Sequence, residues 1–469
     1  MKPQTMTPVE RRAAMSLAGI YSLRMMGLFL ILPVFSLYAE HLEHSTPFLI
    51  GLAIGAYGLT QALLQIPFGM LSDRFGRKPI ITMGLLLFAL GSIVAANADS
   101  IIGIILGRAL QGSGAIAAAI MALAADLTQE ENRTKAMATI GITIGVSFSV
   151  SLVLGPILDH WIGVDGIFWL TAALAIAGMI LLRVGVPDPE KTSLHRDAES
   201  VPGYFSSVLG NAQLLRLDFS IFALHMMLTA SFVVLPFVLR DYADLRTIHH
   251  WYIYLPVLLL SMMIMVPFII VAEKRRRIKE VLVAAVITLG LAQTGLMLFF
   301  RSIAGIFLSL LLFFIAFNVL EAILPSLVAK FCEVDKKGTA LGVYSTSQFL
   351  GAFTGGMAGG GIYGAFGIQW VFGFCVAVAV VWALVAKTMQ QPRYLSSYMI
   401  NLGTMDASLA GVVEQRLRQQ AGVAEAVVNA DDKVAYLKVD RRVVDTDDLH
   451  KIAAELIDSG SAVGGPALT

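Results

Sequence analysis

The stretch Gly69-Met70-Leu71-Ser72-Asp73-Arg74-Phe75-Gly76-Arg77-Lys78 closes one long apolar run, 48–71, and opens the next, 79–97. Two runs of about 20 apolar residues joined by so short and charged a gap read as two membrane-crossing helices and their turn. Gly69 lets a neighbouring helix come close, and Gly76 permits a tight reversal. Asp73 stands where an anion can face the positive N-terminal end of another helix. Arg77 can hold a carboxylate in a bidentate pair. Basic residues alone suffice to orient a loop; they would not require the aspartate or the spaced glycines.

The pattern extends outward from this gap. The chain has 469 residues, 57% hydrophobic and 14% charged, with a mean hydropathy of +0.75. Soluble proteins carry roughly a quarter charged residues. A nucleic-acid-binding protein, a disordered scaffold and an ordinary cytosolic enzyme are excluded, and a polytopic membrane protein remains. The spans fall at 13–39, 48–71, 79–97, 101–126, 136–158, 165–187, 217–240, 250–272, 279–300, 303–329, 338–364 and 367–389, which is twelve. The first is too long for a signal-peptide core and is read as retained. The two cysteines, Cys332 and Cys375, support neither a disulfide framework nor a metal site.

Lys and Arg alternate between gaps. One set holds Lys2, Arg11, Arg12, Arg74, Arg77, Lys78, Arg133, Lys135, the basic residues of 274–279, Lys336 and Lys337; the other holds Arg240, Arg246 and Arg301. Both termini are therefore expected in the cytoplasm. The long gap 188–216 divides the spans six and six. Pro67-Phe68 repeats as Pro267-Phe268, Asp73-Arg74 as Glu273-Lys274 and Arg77 as Arg277, each 200 residues on. Two related halves, 1–187 and 217–392, with a cytoplasmic linker over 188–216, imply a path between them.

Beyond Pro392 the composition changes. Strands are expected at 397–402, 423–429 and 433–439, with helices at 406–420 and 445–457. This βαββα order gives 393–469 the form of a small α+β ferredoxin-like cytoplasmic domain with a loose tail. Metal-binding domains of that form carry Cys-x-x-Cys where this chain has 403–406, without a cysteine, so a metallochaperone role is not expected. Its surface could take a small ligand or anion, dock on the loops, or serve as an inert appendage. Residues 393–469 hold 8 Lys+Arg against 11 Asp+Glu, which suits a dock beside the basic loop 274–277.

Inside the apolar runs, Arg24, Arg108, Gln111, His225, Asn318 and Glu321 are costly unless they face partners or water. Glu321 is the first choice for a protonatable coupling group, and His225 the second, since an unperturbed imidazole titrates near neutrality. Structural ion pairing of Glu321 and simple packing of His225 are the competing readings. Arg24 and Arg108 are both candidate cation partners of Glu321. Gly155-Pro156 in span five is a helix bend.

The loop 69–78 resembles the signature loop of the major facilitator superfamily, and Arg108-Ala-Leu-Gln111-Gly112-Ser-Gly114 resembles its second motif, RxxQGxG. Gly155-Pro156 matches only part of the glycine-rich motif of drug/proton antiporters, because Ser151 replaces a usual glycine. With the span-ten segment 317–327 and the fused C-terminal module, the chain resembles the YajR-type bacterial transporters, whose cytoplasmic module is called the YAM domain. The resemblance implies an all-α major facilitator fold of the inner membrane. It implies proton-driven efflux of small amphipathic molecules, with a proton gradient and no cofactor or metal. It also implies a cytoplasmic latch of Gly69, Asp73, Arg74, Gly76, Arg77 and Asp126, grouped with Arg133, in which Asp126 partners Arg77. Asp73 would then face the start of span eleven at 338–340, favouring the outward-open state. The expected partners are a small molecule, protons and lipid, without nucleic acid, and the expected state is a monomer. Uptake or uncoupled transport, and a sensor signalling through 393–469, are the rival readings. An enzyme is not expected, since no nucleotide loop, metal cluster or nucleophile–base arrangement occurs.

Overall fold

The computed structural model describes residues 6–188 and 202–392. In the C-terminal region it describes 395–402, 409–429, 434–440, 443–444, 449 and 451–452. Span one is α1 (Pro8–Phe29) followed, after a short non-helical segment holding Pro33, by α2 (Phe35–Ala39). Thr7 and Glu10 form a reciprocal capping box that starts α1. Span two is α3 (Pro47–Phe75), and Gly76, at φ 93°, both ends it and begins α4 (Arg77–Ala96). That positive φ is open to glycine and strained for other residues.

Span four differs from the single helix expected. It is α5 (Ile101–Ser113) and α6 (Ala117–Asp126), broken at 114–116. The break lets the Gly114 backbone pack against that of Gly84. Spans five and six form one stretch, α7 (Glu130–Gly185), whose backbone leaves the helical region at Gly163. It continues helically through Pro156. Gly155 sits against the Leu30 carbonyl with no room for a Cβ, so the pair Gly155-Pro156 is a close-packing point beside the break in span one.

A short α8 (Phe205–Gly210) precedes the second half. This comprises α9 (Ala212–Phe237), α10 (Trp251–Lys274), α11 (Ile278–Phe299), α12 (Ile303–Phe331), α13 (Lys337–Phe366) and α14 (Ile368–Lys387). Nine of the helical stretches among the described residues are long and apolar enough to cross a membrane. Counting α7 as two, and adding α1 and the glycine-rich α13, gives twelve. Helix α13 is wedged between α3 and α9. Its Gly356 and Gly360 meet Gly51 of α3, and its Gly351 and Gly355 meet the α9 carbonyls of Phe222 and Met226. Small residues on both sides allow this backbone contact where apolar burial gives no drive for helix association.

The C-terminal region forms β1 (Ser396–Asn401), α15 (Ala410–Arg418), β2 (Val423–Asn429) and β3 (Val434–Val439). The sheet is antiparallel in the order β1-β3-β2, the ferredoxin-like arrangement. Most of the expected helix 445–457 lies outside the described residues. All six residues of β3 are buried. Ala435, Leu437 and Val439 join the core with Val413 and Leu417 of α15. Val434, Tyr436 and Lys438 take the other face, and the sheet rests against 334–336, between α12 and α13.

Candidate functional site: two buried polar clusters and a loop lock

At the basic-loop face, Arg77 is buried among polar partners. Its Nε lies 3.2 Å from Asp126 Oδ2, its Nη1 donates to Ser72 Oγ at 2.9 Å, and it pairs with Asp73 one turn back. Asp126 has no exposed side-chain surface, whereas the Asp73 side chain is 31% exposed. Arg77 thus ties the end of α3 and the start of α4 to the end of α6. Gly69 packs on Ala118 of α6. Asp73 lines a small cavity with Gly342 of α13, about one turn deeper than the helix start expected. Arg74 is exposed, with its guanidinium 5.5 Å from the Phe75 ring. Arg133, grouped with the latch from sequence, lies with Nη1 3.9 Å from Met399 Sδ of β1.

The second half carries a matching link. Glu273 accepts from Lys330 at 2.7 Å and from Ser326 at 2.7 Å, joining the ends of α10 and α12 as Arg77 joins those of α3 and α6. Glu10 was not singled out in the sequence, although its T-x-x-E box was visible there. It accepts from the Gln129 N–H at 2.7 Å and Asn132 at 3.3 Å, and so secures the start of α7. Its burial favours the neutral acid, but the N–H donors of Gln129 and Thr7 outweigh that and lower its pKa.

Deeper in the second half, His225 of α9, Glu321 of α12 and Gln348 of α13 converge. His225 Nδ1 is 3.3 Å from the Ile221 carbonyl, and its Nε2 is 2.8 Å from Gln348 Nε2 and 3.4 Å from Glu321 Oε1. A carbonyl only accepts, so Nδ1 carries the hydrogen and neutral imidazole presents a lone pair at Nε2. Gln348 donates to that lone pair. Glu321 Oε1 is buried and has no hydrogen-bond partner among the described residues, although the side chain as a whole is 33% exposed. Phe317 covers the imidazole at 5.9 Å. Asn318 has a different partner, donating to Ser261 of α10 at 3.1 Å.

The first half holds a separate cluster. Arg24 donates to Gln61 Oε1 at 2.7 Å and to the Gly114 carbonyl at 2.9 Å. The helix break at 114–116 is what frees that carbonyl. Arg108 donates to Gln111 Oε1 at 2.8 Å, and Gln111 in turn donates to Ser92 at 2.8 Å. Both guanidiniums lie over the Tyr57 ring, at 5.7 and 5.1 Å. The expectation that Arg24 or Arg108 is the partner of Glu321 is therefore corrected. Both are held by neutral groups of the first half, and His225 stands beside the carboxylate. Gln61, Tyr57 and Gln348 were missed because they carry no charge and, unlike Gln111, stand in no recognised motif.

On the opposite face, Arg240 pairs with Glu40, which follows α2, and with Asp241 at 2.6 Å. This ion pair joins the two halves.

Residues 17–320 and 219–396 match the Major Facilitator Superfamily. The chain is 48% identical over 452 residues to the inner membrane transport protein YajR of Escherichia coli, covering 94% of this chain and 97% of that protein. It is 24% identical over 343 residues to the multidrug resistance protein MdtH of Aeromonas salmonicida, covering 72% and 84%. Among solved structures, a bacterial homolog of the human lysosomal transporter Spinster, inward-facing and occupied, superposes with a TM-score of 0.70 at 14% identity. That match covers 82% of this chain and 98% of that one. With its helical halves, its Arg77 lock and a match spanning nearly all its spans, this chain belongs to the major facilitator superfamily of membrane transporters.

Proposed function

We propose that this transporter exports small amphipathic molecules across the inner membrane in exchange for protons, and that His225 and Glu321 hold the coupling proton. The observation that carries this reading is the 3.4 Å approach of Nε2 to Oε1. With the Nδ1 hydrogen committed to Ile221, a lone pair faces a buried carboxylate oxygen. One proton on the acid removes the buried charge, and one on Nε2 supplies the missing donor once the Gln348 amide turns its oxygen towards the ring. A group that is stable with one proton and strained without it can load from one side and release to the other. Release leaves a charge whose solvation differs between the two facing states.

The name of the multidrug resistance relative supports export, that of the inner membrane transport protein supports transport, and the closed opposite face supports alternating access. There Glu40–Arg240 and the Gly51–Gly356 contact hold the halves together, while the Arg77 lock stands ready to organise the basic-loop face. We place both termini, and the module after Pro392, in the cytoplasm. A regulatory reading of that module is favoured by its contacts with both halves, Arg133 in the first and Arg276 in the second.

The test is reconstitution of the full chain in vesicles with a pH-sensitive dye inside. Substrate-driven proton movement should occur with the natural sequence and disappear in Glu321→Gln. Substrate movement with no accompanying proton would instead establish uncoupled transport.

A further inference from the structure

Two cations buried in the first half have no anion. Arg24 is 1% and Arg108 3% exposed, and among the described residues neither forms an ion pair. The hydrogen bonds they make go to neutral acceptors. Nε and Nη1 of Arg24, Nε of Arg108 and the Tyr57 hydroxyl are buried and find no hydrogen-bond partner among the described residues. Both charges flank the same Tyr57 ring, and Arg24 also lies 5.5 Å from the Phe88 ring. Ring faces and one-sided amides compensate part of the lost hydration. Two like charges in a low-dielectric site still repel each other and leave strong donors unused.

The position of the cluster makes it more than a structural oddity. Tyr57 meets the half-buried Phe349 of α13, the residue after Gln348, which holds the His225 ring. The cationic cluster of one half and the carboxylate–imidazole pair of the other are thus neighbours across the boundary between halves. That boundary is where a transported molecule is held while the halves reorient. The surroundings are aromatic, with Phe88, Phe349 and, on α7, Phe148 stacked on Phe317. A guanidinium with free N–H groups is best satisfied by an oxyanion, which accepts from two of them at once.

We propose that Arg24 and Arg108, on either side of Tyr57, receive the oxyanion of the transported molecule, so that the substrates are amphipathic organic anions, aryl carboxylates among them. This rests on the export reading above but concerns only what is carried. Binding supplies the missing counter-charge, and the aromatic surroundings take the apolar body. A cationic amphiphile would meet two uncompensated positive charges at the same place.

The experiment measures binding of naphthalene-2-carboxylate and of its uncharged isostere, naphthalene-2-carboxamide, to the purified full chain by thermal shift and by fluorescence titration. The carboxylate should bind the natural sequence at least about tenfold more tightly, the advantage of charge-assisted over neutral hydrogen bonds. Arg24→Gln and Arg108→Gln should each bring the two probes to near parity, while Arg24→Lys keeps part of the preference. Removing an unpaired buried charge should leave each Gln variant folded. Should one fail to fold, the other carries the test. Equal binding of the two probes by the natural sequence overturns the proposal, as does a preference that survives both substitutions. Glu321→Gln should keep the carboxylate preference. A lost preference in Arg24→Gln alongside normal proton flux in Glu321→Gln would therefore sink the proton-coupling assignment and leave this one standing. The reverse pattern would do the opposite.

Discussion

Lys438, the fifth residue of β3, reaches out of the C-terminal sheet to the end of α12, where its ammonium donates to the carbonyls of Lys330, at 3.2 Å, and Cys332. Those carbonyls lie in the last turn of the helix and just beyond it, where helical partners run out and negative charge concentrates. The lysine is 3% exposed. The small domain is thereby fastened to the same helix that carries Glu321, mainly by a buried cap. Of the acidic–basic dock expected from net charge, the described residues include the half-exposed pair Arg276–Asp440, at 3.6 Å.

Lys438→Met should release the domain, because the two carbonyls lose a charged donor worth about 1.5–3 kcal/mol. Asp440→Asn should cost only about 0–1 kcal/mol, since exposed pairs are weak and screened by salt. Protease access to the segment 388–395 is the measurement. Cutting should rise sharply in Lys438→Met and little in Asp440→Asn. Equal cutting of both would mean the cap is not the anchor. Transport by Lys438→Met should continue at an altered rate.

The Arg77 lock should respond unequally to its two carboxylates. Asp126→Asn leaves a buried guanidinium without its enclosed partner and should destabilise by about 3–5 kcal/mol. Asp73→Asn removes a partner that water already reaches, and should cost about 1 kcal/mol. Thermal unfolding in detergent separates the two. In intact cells, Asp73→Asn should also increase labelling of cysteines placed along α3 and α13 at the basic-loop face. A larger loss of stability from Asp73→Asn than from Asp126→Asn would reverse the assignment.

Gly356→Val should push α3 and α13 apart, because a side chain there meets the Gly51 carbonyl and the Gly55 backbone. Insertion should persist, since each half keeps its own packing. Access from the opposite face should rise, read as modification of a cysteine placed near Pro47. Unchanged access would show that the glycine contact does not hold that face closed.

Much of this was legible in the sequence for a physical reason. A membrane demands apolar runs of fixed length, so the spans announce themselves, and the charged gap 69–78 interrupts them plainly. The proximity of Arg77 and Asp126 followed from the family resemblance, and the ferredoxin-like strands from alternation and turn residues. The breaks at 30–34 and 114–116 were not legible, because each depends on what packs against it. The freed Gly114 carbonyl fixes Arg24, so missing the break misplaced the arginine. Gln348 hid in a glycine-rich span. Lys438 was not singled out, since nothing local announces a helix end from elsewhere in the chain.

The central claim is that one proton, held between His225 and Glu321, couples transport to the proton gradient. The most direct measurement is substrate-driven proton flux in vesicles containing the full chain, compared with Glu321→Gln and with His225→Gln. Glu321→Gln should abolish the flux while the protein remains folded and still binds substrate, and His225→Gln should weaken it strongly. Proton flux in Glu321→Gln equal to that of the natural sequence would contradict the claim.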